Sequence, residues 1–176
     1  MKYIKAIIGV VLLVILDQIT KWLAVKYLMP GGPKVLIENV FELRYLENRG
    51  MAFGMMQNQK VFFVIMTLII VAALVVFYAK VPDTKRMLPM RILAVCIMAG
   101  ALGNFIDRVR QSYVVDFFYF KLIDFPIFNV ADIYVTVSAI VFLVLVLFYY
   151  KENDYAFLSR KKKADAGKAK DADSEK

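Results

Sequence analysis

Four long apolar runs divide the chain. The first opens with Lys2 and Lys5, stays uncharged from Ala6 to Leu16, and continues through Asp17-Gln18-Ile19-Thr20-Lys21-Trp22 toward Leu28. The second, Val61 to Ala79, lies between Lys60 and Lys80 with no charge inside it. A third occupies the stretch between Arg91 and Asp107, and a fourth runs from Asp132 to Tyr150. Runs of this kind read as membrane-spanning helices, because about 20 residues rising roughly 1.5 Å each cross a ~30 Å hydrocarbon core. The pattern predicts helices over about 4–28, 61–79, 88–107 and 130–150. The opening resembles a signal peptide, but no small-x-small cleavage pattern follows and the run continues past Asp17, so an uncleaved first transmembrane helix is expected.

Between the runs the period changes. Pro30-Gly31-Gly32-Pro33 is expected to break the first helix, and from Phe41 to Tyr45 apolar and charged residues alternate as in a half-buried strand. A small extracytoplasmic β element is therefore expected over about 34–58. Lys80 to Arg91, basic and carrying Pro82 and Pro89, reads as a cytoplasmic turn. Residues 1–158 are expected to form the membrane domain and 159–176 a disordered, basic cytoplasmic tail. The fold class is thus membrane all-α, a four-transmembrane-helix bundle with a small extracytoplasmic β element.

Composition narrows the chemistry. At 61% hydrophobic residues and a mean hydropathy of +0.61, the chain is too apolar for a soluble domain. It has no His and one Cys, which removes Ser-His and Cys-His catalysis, a His- or Cys-rich zinc site and an internal disulfide. Carboxylates or lysines must carry any reaction, with no metal or cofactor expected. The net charge of +8 suits the positive-inside rule better than a nucleic-acid partner. Lys and Arg favour the side holding both termini, which places the β element, Asp116 and Asp132 at the outer face.

The polar residues inside this apolar frame are few. Asp17 and Lys21 are spaced i, i+4 and can pair on one face of the first helix. Gly103-Asn104-Phe105-Ile106-Asp107-Arg108 and Phe128-Asn129-Val130-Ala131-Asp132 each set an Asn three residues before an Asp. Asp132 falls in a first helical turn, where the helix dipole favours its ionised form. Asp116, within Tyr113-Val114-Val115-Asp116-Phe117-Phe118, is wrapped in aromatic and β-branched residues that favour its neutral form. Its alternative role is to satisfy backbone amides at a strand bend. Asp124, just before Phe125-Pro126, reads as turn chemistry, and Cys96 as an inert core thiol. Gly103 and Ala99-Gly100-Ala101 clear the third helix for close approach. Two classes of function remain open: a carboxylate enzyme, or a small proton-coupled transporter or four-helix scaffold. The absence of charge inside the second run argues against a relay across the membrane.

Five stretches, Asp17-Gln18-x-x-Lys21, Asn48-Arg49-Gly50-x-Ala52-Phe53, Gly103-Asn104-x-x-Asp107-Arg108, Val114-Val115-Asp116-Phe117 and Phe128-Asn129-x-Ala131-Asp132, together resemble the bacterial lipoprotein signal peptidase family, signal peptidase II. The resemblance implies an intramembrane aspartic endopeptidase of the bacterial cytoplasmic membrane. It would remove the signal peptide from diacylglyceryl-modified prolipoproteins, cutting just before the lipidated Cys. Asp116 and Asp132 would be the catalytic pair, and which of them is the base stays open. Asn48, Asn104, Arg108 and Asn129 would line or orient the site, and Asp17, Lys21 and Asp107 would support it. The implied partners are lipid-modified prolipoproteins and membrane lipids, with the chain acting as a monomer. Met1 to Leu16 and Lys151 to Lys176 carry no family motif.

Overall fold

The computed structural model describes residues 1–50 and 59–158. Helices α1 (Lys2–Gly31), α2 (Lys60–Lys80), α3 (Leu88–Gln111) and α4 (Val130–Phe148) are each long and apolar enough to cross a membrane. Their outward faces expose residues such as Ile8, Leu12, Ile69 and Leu143. That surface would aggregate in water, whereas acyl chains are as apolar as Leu and leave nothing to hide. The chain is a multi-pass membrane protein.

Helix α3 is the hub, packing on α1, α2 and α4. Its buried face is mostly small, with Ala94, Ala99, Gly100 and Gly103. A Cβ on Gly100 would lie 2.5 Å from the Ala131 carbonyl oxygen, and one on Gly103 would lie 2.5 Å from Asp17 Oδ2. Only glycine lets the first turn of α4 and the carboxylate of α1 come this near the α3 backbone.

Helix ends depart from the ends of the apolar runs. α1 continues past Leu28 through Pro30 to Gly31 and stops at Gly32, whose φ of 72° ends it. Pro30 sits in the last turn, where its ring fits helical φ and its missing N–H removes a single backbone bond. α3 likewise runs beyond Asp107 to Gln111, ending at Ser112 in the left-handed region. The polar residues that close the apolar run are buried against other elements, so they extend the helix instead of ending it.

Three antiparallel strands form one sheet in the order β1 (Lys34–Ile37), β2 (Phe41–Asn48), β3 (Val114–Phe120). β3 lies outside the expected β region of 34–58, because Val114 to Phe117 are all buried and show no alternation to read. Of that region, residues 51–58 lie outside the described residues, including Ala52 and Phe53 of the second motif, as does the 159–176 tail. Alternation located β2 but not its buried side. Glu42 is 3% exposed, beneath Lys121 at 2.7 Å and Arg44 at 3.4 Å, while Leu46 is 40% exposed. The Lys121 ion pair holds the Glu42 carboxyl below its ordinary range. An irregularity in the β2–β3 register falls between Leu43 and Leu46, which shifts the faces of the strand's second half.

Two packed ends complete the molecule. On the sheet side, Ala24, Leu28, Val115 and Phe117 join α1 to β3. Phe128 exchanges backbone hydrogen bonds with Phe118 at 2.8 and 3.1 Å, tying the residue before α4's cap to β3. At the other end Val81, Met87, Met90 and Tyr150 pack together. A 3-10 turn over Glu152–Leu158 closes that end, held by Arg86 on Asp154 at 2.7–2.9 Å.

Candidate active site

The β2–β3 pairing sets Leu46 opposite Asp116 and Asn48 opposite Val114. Asn48 is therefore a diagonal neighbour of Asp116 on one face of the sheet. Asn48 Nδ2 donates to Asp116 Oδ2 at 2.8 Å. Asp116 is 1% exposed, and its other oxygen accepts from Asn129 Nδ2 at 2.6 Å. Burial, and then the charge of Asp132, push the Asp116 carboxyl up to about 7, while the Asn48 and Asn129 amides pull it back.

Asn129 does two jobs because it starts α4. Its Oδ1 accepts from Asp132 N at 3.0 Å, and Asp132 Oδ2 accepts from Asn129 N at 3.1 Å, a reciprocal capping box. The cap consumes the amide oxygen, so the Asn129 NH2 group turns to Asp116 and, at 3.2 Å, to Asn104 Oδ1. Asp132 is fixed through the same turn, and its Oδ1 accepts from Asn104 Nδ2 at 2.8 Å. Two carboxylates from separate elements are thus joined through the amides of Asn104 and Asn129.

A buried charge cluster lies behind this layer. Lys21 Nζ stands 2.9 Å from Asp17 Oδ2 and 3.0 Å from Asp107 Oδ2, with every side chain in the cluster 5% exposed or less. Its third contact is to Asn104 Oδ1 at 2.8 Å, which fixes that amide so that its NH2 group faces Asp132. Each carboxylate of the cluster also holds backbone. Asp17 Oδ1 accepts from Ala131 N at 2.9 Å, and Asp107 Oδ2 from Val115 N at 3.3 Å. Those amides immediately precede Asp132 and Asp116, so the cluster grips both carboxylates' strands of chain from one point.

The structure brings together Asn48, Asn104, Asp116, Asn129 and Asp132 at the front and Asp17, Lys21 and Asp107 behind. Among the described residues Arg108 makes no hydrogen bond to this network, though its charge acts on Asp132 and Asp116; its guanidinium donates to the Gly50 carbonyl at 3.4 Å and covers the Phe63 ring at 4.7 Å. Gln18 stands in the first motif, but the sequence assigned it no role. Its Nε2 donates to Asp107 Oδ1 at 2.9 Å, to Asp17 Oδ2 at 3.2 Å and to the Gly103 carbonyl at 3.3 Å. The signal available was an amide beside Asp17 in an otherwise apolar helix. Asp124 stands outside the site, accepting from Tyr119 Oη at 2.7 Å.

Residues 9–148 match the family model described as signal peptidase (SPase) II. A lipoprotein signal peptidase of Caldanaerobacter subterraneus subsp. tengcongensis is 48% identical over 144 residues, which are 81% of this chain and 96% of that protein. One from Streptococcus pyogenes serotype M5 is 38% identical over 149 residues, 85% of this chain and 95% of that one. A bacterial membrane enzyme solved by the in meso method at 2.3 Å superposes with a TM-score of 0.73 at 36% identity, covering 84% of this chain and 92% of its own. These matches span the helices and the sheet that hold the two carboxylates, and the chain belongs to the signal peptidase II family.

Proposed function

We propose that this peptidase is an aspartic endopeptidase in which Asp116 and Asp132 are the catalytic pair. The observation that carries the assignment is the unequal setting of the two carboxyls. Asp116 is buried in the sheet with its carboxyl pushed up to about 7. Asp132 accepts a backbone N–H on one oxygen and the Asn104 amide on the other in the first turn of α4, so two donors hold it in place. One proton shared between the two makes Asp132 the base and Asp116 the acid.

The reaction then follows in two steps. The Asp132 carboxylate takes a proton from a water whose oxygen attacks the scissile carbonyl carbon, while Asp116 donates its proton to the carbonyl oxygen. Collapse of the tetrahedral intermediate breaks the C–N bond. Asp132 gives its proton to the departing nitrogen and Asp116 recovers one from the hydroxyl. Asn48 and Asn129 hold Asp116, and Asn104 holds Asp132, so little reorganisation accompanies the charge movement.

The substrate is a lipid-modified prolipoprotein, cut just before its diacylglyceryl-bearing Cys. The matched relatives named lipoprotein signal peptidase support that class. The lipid chains would remain in the membrane beside the helices and hold the scissile bond at the level of the site. The Lys and Arg distribution supports an orientation in the bacterial cytoplasmic membrane with both termini inside and the site at the outer face. We take the working unit to be a monomer among membrane lipids.

The test is processing of a lipid-modified prolipoprotein by purified Asp116→Asn and Asp132→Asn enzymes in detergent. Each substitution should lower the rate by at least about 10²-fold, the lower range for loss of a general acid or base. Near wild-type cleavage by either variant, with unchanged thermal unfolding, would sink the pair. Cleavage by the wild type without any membrane gradient would end the transporter reading.

A further inference from the structure

At the end of the bundle opposite Asp116, α1 and α3 separate to leave a groove of about 570 Å³. Ala6, Gly9 and Leu13 of α1 and Ile92 and Val95 of α3 form its apolar walls. On α1 it extends from Lys2 to Leu13, about 16 Å along the helix axis. The floor is closed where Gly9 meets α3, since a Cβ there would lie 3.1 Å from Val95 Cγ1. The mouth is cationic: Lys2, Lys5 and Arg91 line it against the single carboxylate of Asp83.

These charges differ in what occupies them. Lys2 Nζ donates to the Val81 carbonyl at 2.5 Å and the Ala79 carbonyl at 3.3 Å, closing the end of α2. Lys5 is exposed. The Arg91 side chain is 11% exposed, and its Nη1 pairs with Asp83. Its Nε is buried and has no acceptor among the described residues. A buried unsatisfied donor over an apolar channel, beside an exposed ammonium, asks for an anionic oxygen on a hydrocarbon chain.

We propose that this groove binds one anionic phospholipid from the leaflet at that end, with its phosphate between Lys5 and Arg91 and one acyl chain between α1 and α3. A zwitterionic lipid would bring its own cation to a mouth that is already positive. The site is independent of the carboxylates and of the peptidase reading, so its failure would leave that reading untouched.

The experiment uses the full chain in nonionic detergent, with phosphatidylglycerol and phosphatidylcholine as probes and native mass spectrometry as the readout. One phosphatidylglycerol should bind saturably and outlast phosphatidylcholine. Lys5→Gln and Arg91→Gln should each weaken it by about fivefold, the effect of one surface cation on an anionic lipid. Lys85→Gln, exposed and outside the groove, should leave binding unchanged. Arg91→Gln also breaks the Asp83 pair, so Ala6→Trp provides a second arm that fills the channel and keeps every charge; it should abolish retention. Equal binding of the two lipids would overturn the proposal. So would an equal loss with Lys85→Gln, or full retention in Ala6→Trp.

Discussion

Asn104 with Asp107 and Asn129 with Asp132 have the same spacing, yet one pair ends a helix and the other begins one. At the start of α4 the free backbone donors of the first turn bind both side chains, so Asn129 and Asp132 are set by their own helix. In the last turns of α3 no such donors exist, and the side chains must find partners elsewhere. Asn104 reaches forward to Asp132, and Asp107 turns back to Lys21, Gln18 and the Val115 amide. The same spacing therefore yields a self-supporting unit in one place and a dependent one in the other. On the α3 side Lys21 is the partner that Asn104 and Asp107 share.

Removing Lys21 is accordingly the most damaging way to test this difference. Lys21→Met deletes the cation that Asp17 and Asp107 share and leaves two carboxylates buried without it. Breaking a buried ion pair on one side costs about 3–5 kcal/mol, enough to threaten the fold of a marginally stable domain. We expect a large drop in the thermal unfolding midpoint in detergent, with activity lost alongside. If Lys21→Met unfolds as the wild type does, the buried cluster is not what supports the site.

The second test separates the two jobs of Asn129. In Asn129→Ser a hydroxyl can still accept from the Asp132 backbone and keep the cap, but it cannot extend an NH2 group to Asp116. Stability should fall by about 1–3 kcal/mol, because the buried Asp116 carboxylate and the Asn104 amide oxygen lose the donor they share. Processing should fall about 10–100-fold, the equivalent of one charge-assisted hydrogen bond. A wild-type rate per folded enzyme would show that the α4 pair acts only as a cap.

How far these roles could be read from the chain follows from the same contrast. The Asn129–Asp132 cap has a local sequence signature, and the aromatic setting of Asp116 points to a raised pKa without any partner being known. The spacing Asp17-x-x-x-Lys21 likewise identifies a pair within one helix. What spacing cannot supply is the partner across elements: that Asp17 reaches the Ala131 amide through the gap left by Gly103, or that Asp107 holds Val115. β3 was hidden because burial on both sides erased its alternation, and the Gly50 and Phe63 contacts of Arg108 could not be foreseen because motif membership says nothing of direction. The four spans were legible from length and apolarity, whereas their exact ends depended on which polar residues found buried partners.

The pH dependence of processing sharpens the roles of the two carboxylates. The acid must carry its proton, and the Asp116 carboxyl is raised to about 7. The protonated fraction is full well below that value and falls about tenfold for each pH unit above it. We expect an alkaline limb near pH 7 in single-turnover cleavage. Asn129→Ser removes a donor that favours the ionised form, so the limb should move to higher pH. A limb that stays in place would show that the amide does not act through Asp116.

The smallest effect is expected at Asp124, which shares the stretch but none of the partners of the other carboxylates. Its backbone is left-handed, at φ 47°, and its carboxylate accepts the Tyr119 hydroxyl on the protein surface. Asn adopts left-handed φ about as readily as Asp, and its amide oxygen can still accept that hydroxyl. Asp124→Asn should therefore change stability by no more than about 0.5 kcal/mol and leave processing near wild type. Asp124→Val keeps the size but puts a β-branched residue at positive φ, so it should destabilise the turn measurably while the cleavage rate of folded enzyme is kept. A loss of activity in Asp124→Asn would mean that charge at this end matters beyond the amide-linked pair. The distinction between carboxylates held by their own helix and those held across elements would then be too narrow to describe the site.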